Sequence, residues 1–328
     1  MRAAQMTGPG RFEVVDAPDP VPAPGEVLVR SHAASICGSD LHQVFEGTYE
    51  GAFPAPAGYP GHEGVGRVVA SRSGRFTAGD AVLTVPLPRR GGCYAELQCV
   101  GEDFLVPLPE GGDLDRLLMA QQLGTAVYAF RRYWPDGTPA TGLTAAILGA
   151  GSAGLFLLQL ARRAGFSRTM VADRDKERLE VAGGLGADVL VDMATQPFPE
   201  VVMAATGGVG ADLVIEAAGP DRCRTACVEA VRQGGRLGFF GLPEHPGLVP
   251  FPLAAAFGKG ATIEMVAGAQ AEPGLRAFRD SIGLIASGAI DVDHLLEPRF
   301  PLERVQEAME AARDHAGVKV TVTIAPGG

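Results

Sequence analysis

Cys37-Gly38-Ser39-Asp40-Leu41-His42, followed by Gly61-His62-Glu63, gathers a thiol, two imidazoles, two carboxylates and a hydroxyl into one early stretch of the chain. Thiolate and neutral imidazole are the donors that a borderline-soft ion such as zinc selects. Ser39, Asp40 and His42 are the group types that move a proton and orient a ligand. Taken singly, each has an ordinary explanation: a lone Cys packs as a small hydrophobe, a lone His sits in a turn, and Asp40 caps a helix starting near Leu41. The two motifs together point instead to a metal site with a proton path beside it.

A second chemical feature lies about a hundred residues on. Gly149-Ala150-Gly151-Ser152-Ala153-Gly154 follows an apolar run and opens a helical pattern, and Asp173 ends the next apolar run. That is the context a dinucleotide fingerprint requires. Gly149 suits the tight turn, Gly151 lets a pyrophosphate reach the backbone, and Gly154 lets helix and strand pack closely. The N–H groups of Ser152 and Ala153 open the helix and face the anion. Asp173 is spaced to bind both ribose hydroxyls, and it repels a 2′-phosphate. NAD(H) is therefore expected over NADP(H), although the adjacent Arg174 softens that choice.

These residues need elements to hold them. Before residue 114 the chain reads as short strands and turns, with strands at 27–33, 64–70 and 79–85 in an antiparallel, barrel-like pattern. A helix is expected over 117–130, and strands then alternate with helices: strands at 144–148, 169–172, 212–216 and 236–240, helices at 153–164, 176–185 and 223–232. That alternation implies parallel βαβ units in a doubly wound sheet. Helices at 278–287 and 302–312 and a strand at 319–324 close the chain. The uncharged stretch 137–161 imitates a membrane span, but its proline and glycines divide it into strand, turn and helix.

Composition narrows the function further. The 328 residues suffice for two domains, and a net charge of -10 argues against nucleic acid or an anionic membrane as partner. Five cysteines, an odd number, suit a reducing compartment, and no leader-like segment opens the chain, so a cytoplasmic location is expected. Cys223 and Cys227, at i and i+4, read as helix core rather than a metal pair.

The motifs resemble those of the zinc-dependent medium-chain dehydrogenase/reductases, the alcohol and polyol dehydrogenases. The likeness runs nearly end to end, through Pro-Gly-Glu-Val-Leu-Val (24–29), the two motifs above, Gly-Asp-Ala-Val (79–82), Gly-Gly-Cys-Tyr-Ala-Glu (91–96), Leu-Gly-Thr-Ala (123–126) and Arg-Leu-Glu-Val-Ala (178–182). The resemblance implies an α/β fold: a GroES-like β-barrel catalytic domain over 1–122 and 266–328, with a Rossmann domain inserted at 123–265. It implies Cys37, His62 and Glu63 as zinc ligands, Asp40 orienting His62, and Ser39 with His42 as the proton relay. Thr125 is similar to a nicotinamide-side contact, Arg178 to one near the adenosine ribose, and Lys319 to one near the cofactor phosphates.

Two departures stand out. Gln121 occupies the position where the family usually has a Cys or Glu ligand, so it is expected to bind weakly or through water. Only Cys93 and Cys99 fall where four structural-zinc cysteines would lie, so one zinc per chain is expected. The implied reaction interconverts a secondary alcohol, polyol or sugar and its ketone, a small-molecule alcohol/ketone pair, in a homodimer or homotetramer. Alternatives are a zinc-free quinone or enoyl reductase of the same superfamily and a non-catalytic dinucleotide-binding protein.

Overall fold

In the computed structural model, residues 1–243 and 247–324 are described, and the last residues of the expected catalytic domain, 325–328, lie outside them. The chain forms two compact units, Met1–Gly124 with Ala269 onward, and Thr125–Gly268. The first opens on an antiparallel hairpin of β1 (Arg2–Gly8) and β2 (Arg11–Asp16). β3 (Glu26–Ser35) leads into helix α1 (Gly38–Phe45), and β4 (Glu63–Ser71) returns antiparallel to β3. β5 (Ala81–Thr84), β6 (Leu97–Gly101) and β7 (Leu105–Pro107) extend the sheet, with β5 between β4 and β7 and β6 on β3. Val27, Val29, Val68, Val82 and Leu105 are buried together under it, the apolar half of the alternating pattern.

The helix expected over 117–130 is instead two, α2 (Leu114–Leu118) and α3 (Ala120–Tyr133). Asp113 caps α2 by accepting the N–H groups of Asp115 and Arg116, and the turn tightens at Met119, whose N–H bonds back to Arg116.

The second unit alternates strictly. β8 (Thr144–Leu148), α4 (Ser152–Arg163), β9 (Arg168–Asp173), α5 (Lys176–Gly184), β10 (Val189–Asp192) and α6 (Phe198–Ala205) form one half. β11 (Ala211–Glu216), α7 (Asp221–Ala230), β12 (Val231–Phe239), α8 (Leu253–Gly258) and β13 (Thr262–Met265) form the other. All six strands are parallel in the order β10-β9-β8-β11-β12-β13. Every residue of β8 is buried, which is why its sequence runs apolar without alternation. Among the described residues no helix is long and apolar enough to cross a membrane. Cys223 and Cys227 are buried in the core beside Val214 and Leu237.

The chain then returns to the first unit through α9 (Arg276–Ala286), β14 (Arg299–Pro301), α10 (Val305–Arg313) and β15 (Thr321–Thr323). β15 pairs antiparallel with β3 on the side away from β4, and β14 runs parallel to β15. A half-buried ionic stitch fastens this return: Asp115 on α2 takes His32 Nε2 of β3 at 3.0 Å and Arg299 Nη1 of β14 at 2.9 Å. Burial pushes the Asp115 carboxyl up, but the Arg299 hydrogen bond and charge, with His32 added, bring it below its usual value.

A carboxyl held low when folded stabilises the protein above its unfolded pKa of about 3.9, and that contribution disappears as pH falls through the folded value. Asp115→Asn should therefore cost on the order of 1 kcal/mol near neutral pH. In urea unfolding, the gap between variant and wild type should close as the pH is taken below about 4.

Candidate metal and dinucleotide sites

The strand register assembles the first site. β3 and β4 pair Ser35 with Glu63, so the residues just beyond each strand end, Cys37 and His62, come side by side. On the other edge of β3, Thr321 pairs with Ser35, and the N–H of Ile36 bonds to the carbonyl of Val320, which draws Lys319 to the same end. Three segments distant in sequence thus converge on one strand terminus.

Cys37 is the N-cap of α1, and its backbone N–H donates to Asp40 Oδ2 at 3.1 Å, half of a capping box. Asp40, on the first turn of that helix, is fully buried. Its Oδ2 also accepts the Tyr94 hydroxyl at 2.8 Å, and its Oδ1 stands 2.9 Å from His62 Nδ1. This ion pair engages the Nδ1 side of the imidazole, and Nε2 is its other ring nitrogen. Burial alone would push His62 down, but Asp40, with Cys37 added, holds it well above its ordinary value.

One ligand atom from each of Cys37, His62 and Glu63 lies within 4.8 Å of the others. A sulfur, an imidazole nitrogen and a carboxylate oxygen converging inside the protein, with a carboxylate behind the His, match the donor set of a zinc site. Gln121, on the first turn of α3, is buried and offers a neutral amide.

Glu63 is not a free carboxylate. Lys319 Nζ lies 2.6 Å from its Oε2, and the Ser35 hydroxyl donates to the same oxygen. Both side chains are almost solvent-free, at 3% and 1%. Burial pushes Glu63 up, but Lys319, His62 and Ser35 bring it below its usual value, while the same pairing raises Lys319 against its own burial. The expectation that Lys319 approaches the cofactor phosphates is thus corrected. The pairing of β15 with β3 turns this lysine to Glu63 and away from solvent. Ser35, Tyr94 and the Lys319–Glu63 pair were not read from the sequence. The one available signal was a lysine inside the apolar run 318–324, which must find an anion if buried.

Ser39 Oγ is buried without a hydrogen-bond partner, and it is not bonded to His42. His42, three residues on, directs Nδ1 to Glu46 one turn later on the half-exposed side of α1.

The second site belongs to the other unit. Sheet order reverses direction between β8 and β11, the position where doubly wound sheets bind nucleotides beyond their strand ends. Gly149 adopts φ +112, and a Cβ at Gly154 would sit 1.8 Å from the Gly149 carbonyl oxygen, so neither position admits a side chain. Gly151 caps α4, whose first residues are Ser152 and Ala153. Asp173, ending β9, accepts the N–H of Ala150 at 2.6 Å and those of Arg174 and Asp175 at 2.7 and 3.0 Å, so the carboxylate lies against the glycine turn. The Arg178 side chain comes within 4.0 Å of the Gly151 Cβ position. A groove of about 490 Å³ opens where the loop after β10 meets α6 and α7, lined by Met193, Thr195, Phe198, Arg222, Cys223 and Ala226 among others. Thr125 lies on α3, one turn after Gln121.

Comparison with known proteins finds relatives along nearly the whole chain. The profile described as "Alcohol dehydrogenase GroES-like domain" matches residues 23–110, and "Zinc-binding dehydrogenase" matches 153–287. A probable zinc-binding alcohol dehydrogenase of Mycobacterium tuberculosis is 31% identical over 99% of this chain and 89% of its own length. The L-threonine 3-dehydrogenase of Bacillus subtilis is 29% identical over 94% of this chain and 95% of its own. Among solved structures, the alcohol dehydrogenase TADH from Thermus sp. ATN1 superposes with a TM-score of 0.85 at 27% identity, over 99% of this chain and 100% of that one.

If Asp40 orients His62 for a metal, Asp40→Asn should weaken zinc binding about 10- to 100-fold. Competition with a chromophoric chelator measures this directly.

Proposed function

The chain belongs to the zinc-dependent medium-chain dehydrogenase/reductases, and on that premise we propose that it interconverts a secondary alcohol, polyol or sugar with its ketone by hydride exchange with NAD(H). The observation that carries the reading is the convergence of Cys37, His62 and Glu63 beside the buried Asp40. It favours this chemistry over a metal-free reductase or a binding protein, neither of which has use for an oriented thiol–imidazole pair.

When bound, zinc would supply a Lewis acid for the substrate oxygen, and the nicotinamide would take or give the hydride. Cys37 and His62 are its proposed holders, with one oxygen of Glu63 available and Gln121 completing the shell weakly or through water. Ser39, whose hydroxyl is buried and unpartnered, is the group that takes the alcohol proton. His42, steadied by Glu46, passes that proton towards solvent.

In the nucleotide unit, Gly149, Gly151, Ser152, Ala153 and Gly154 would receive the pyrophosphate. Asp173, Arg174 and Arg178 would contact the adenosine ribose, and the groove beside Met193 and Arg222 would take the adenine. Asp173, lying against the Ala150 N–H, would repel a 2′-phosphate, which supports NAD(H) over NADP(H). Thr125 is the proposed nicotinamide-side contact.

Five unpaired cysteines support a reducing, cytoplasmic setting. β13 ends its sheet, and Met265, Leu253 and Phe257 are exposed near it at 67%, 68% and 85%. An open strand edge with apolar side chains around it supports a homodimer or homotetramer formed there.

Reduced-nicotinamide absorbance over a panel of secondary alcohols, polyols and their ketones tests the reading, with zinc content measured on the same sample. Stoichiometric zinc and turnover with at least one pair are expected. Cys37→Ser should remove the turnover while leaving cofactor affinity within about threefold, a shift worth less than 1 kcal/mol. Asp173→Ala should narrow the preference for NAD(H); equal or faster turnover of wild type with NADP(H) would overturn the ribose assignment.

A further inference from the structure

The ion pair between Lys319 and Glu63 takes no part in the proton path, yet it occupies the carboxylate nearest the proposed metal. We propose that Lys319 is a positioning residue of this centre, acting through Glu63: it competes with the bound cation for that carboxylate and so sets how tightly the metal is held. The inference rests on the metal-centre reading above.

Three observations carry it. First, neither partner reaches water, so their attraction is unscreened and a lost partner is not replaced by solvent. Second, Glu63 Oε2 is already shared by Lys319 and the Ser35 hydroxyl, which leaves only its other oxygen uncommitted. Asp40 accepts the Cys37 N–H and the Tyr94 hydroxyl on Oδ2 and is ion-paired with His62 through Oδ1, so Glu63 is the proposed ligand whose carboxylate is contested.

Third, Lys319 sets a positive charge 2.6 Å from an oxygen of a proposed ligand, inside the protein and close to where a cation would sit. Two like charges sharing one buried carboxylate repel, so a cation held there without the lysine would be bound more tightly. Lys319 therefore holds the site at a lower affinity than its donors could reach, and keeps Glu63 satisfied when no metal is there.

The test uses the full-length protein. Zinc affinity is measured by competition with a chromophoric chelator, and thermal melting is followed with and without zinc. Lys319→Met should bind zinc at least tenfold more tightly than wild type, and zinc should raise its melting temperature by more. Lys319→Arg, which keeps the charge, should stay within about threefold of wild type. In a Glu63→Gln background, Lys319→Met should gain several-fold less, because the carboxylate contested by the two cations is gone. With cobalt(II) in place of zinc, the visible ligand-field bands should change in Lys319→Met and not in Lys319→Arg.

Because Lys319→Met strands a buried carboxylate, the variant can unfold without metal; refolding on addition of zinc then supports the competition. A variant that zinc neither binds more tightly nor refolds overturns it. A wild-type protein that takes up neither zinc nor cobalt overturns the metal-centre reading itself, and this inference with it. Stoichiometric uptake by wild type with unchanged affinity in Lys319→Met leaves that reading standing and removes the inference alone.

Discussion

The first unit is organised around a group of charges taken out of water and made to neutralise one another. Asp40 is fully buried and Glu63, Lys319 and His62 nearly so, with His62 paired to Asp40. Isolated, any one of them would cost several kcal/mol or give up its charge. Together they survive because β3, flanked by β4 and β15, brings one to the other at hydrogen-bonding distance. Strand register is therefore also an electrostatic requirement. A slip of one residue on either side of β3 would move Glu63 or Lys319 to the opposite face and leave the other unpaired.

The nucleotide unit solves a different recognition problem by a different means. Its proposed ligand is met chiefly by backbone, with a glycine turn, a helix start and one carboxylate folded onto an N–H. The proposed ion would be met by side chains only. The first strategy depends on what is absent, since any Cβ at Gly149 or Gly154 would collide with neighbouring backbone. The second depends on what each donor is tied to: Asp40 behind His62, Lys319 behind Glu63. Conservative substitution is tolerated differently in the two places: shape governs one, charge count the other.

Much of this was legible in the sequence. Alternating strand and helix patterns located β8 to β9 and β11 to β12, because buried parallel strands run apolar and the helices between them return to a mixed pattern. The short β10 and α6 were missed: β10 is four residues with Leu190 exposed, too brief and too mixed for a period to register. The division of α2 from α3 at Met119 left no signal, since both halves are good helix formers. Cys37, Asp40, His62 and Glu63 could be named because they are adjacent in motifs. Tyr94 and Lys319 could not, because what brings them to the centre is tertiary pairing of distant segments. The misassignment of Lys319 shows the limit: a motif carries a residue's type, whereas its partner is decided by which strand lies next to it.

The order in which the centre's parts are synthesised follows from the same topology. Cys37, His62 and Glu63 have all been made by residue 63, whereas Lys319 lies just ahead of β15, the strand made last. At about 5–20 residues per second, translation separates these events by on the order of tens of seconds. Throughout that interval the nascent chain holds a thiol, an imidazole and a carboxylate without the lysine that later claims the carboxylate. On the proposed reading, the growing polypeptide would meet a cation with an unclaimed carboxylate, and docking of the last strand would close that early window.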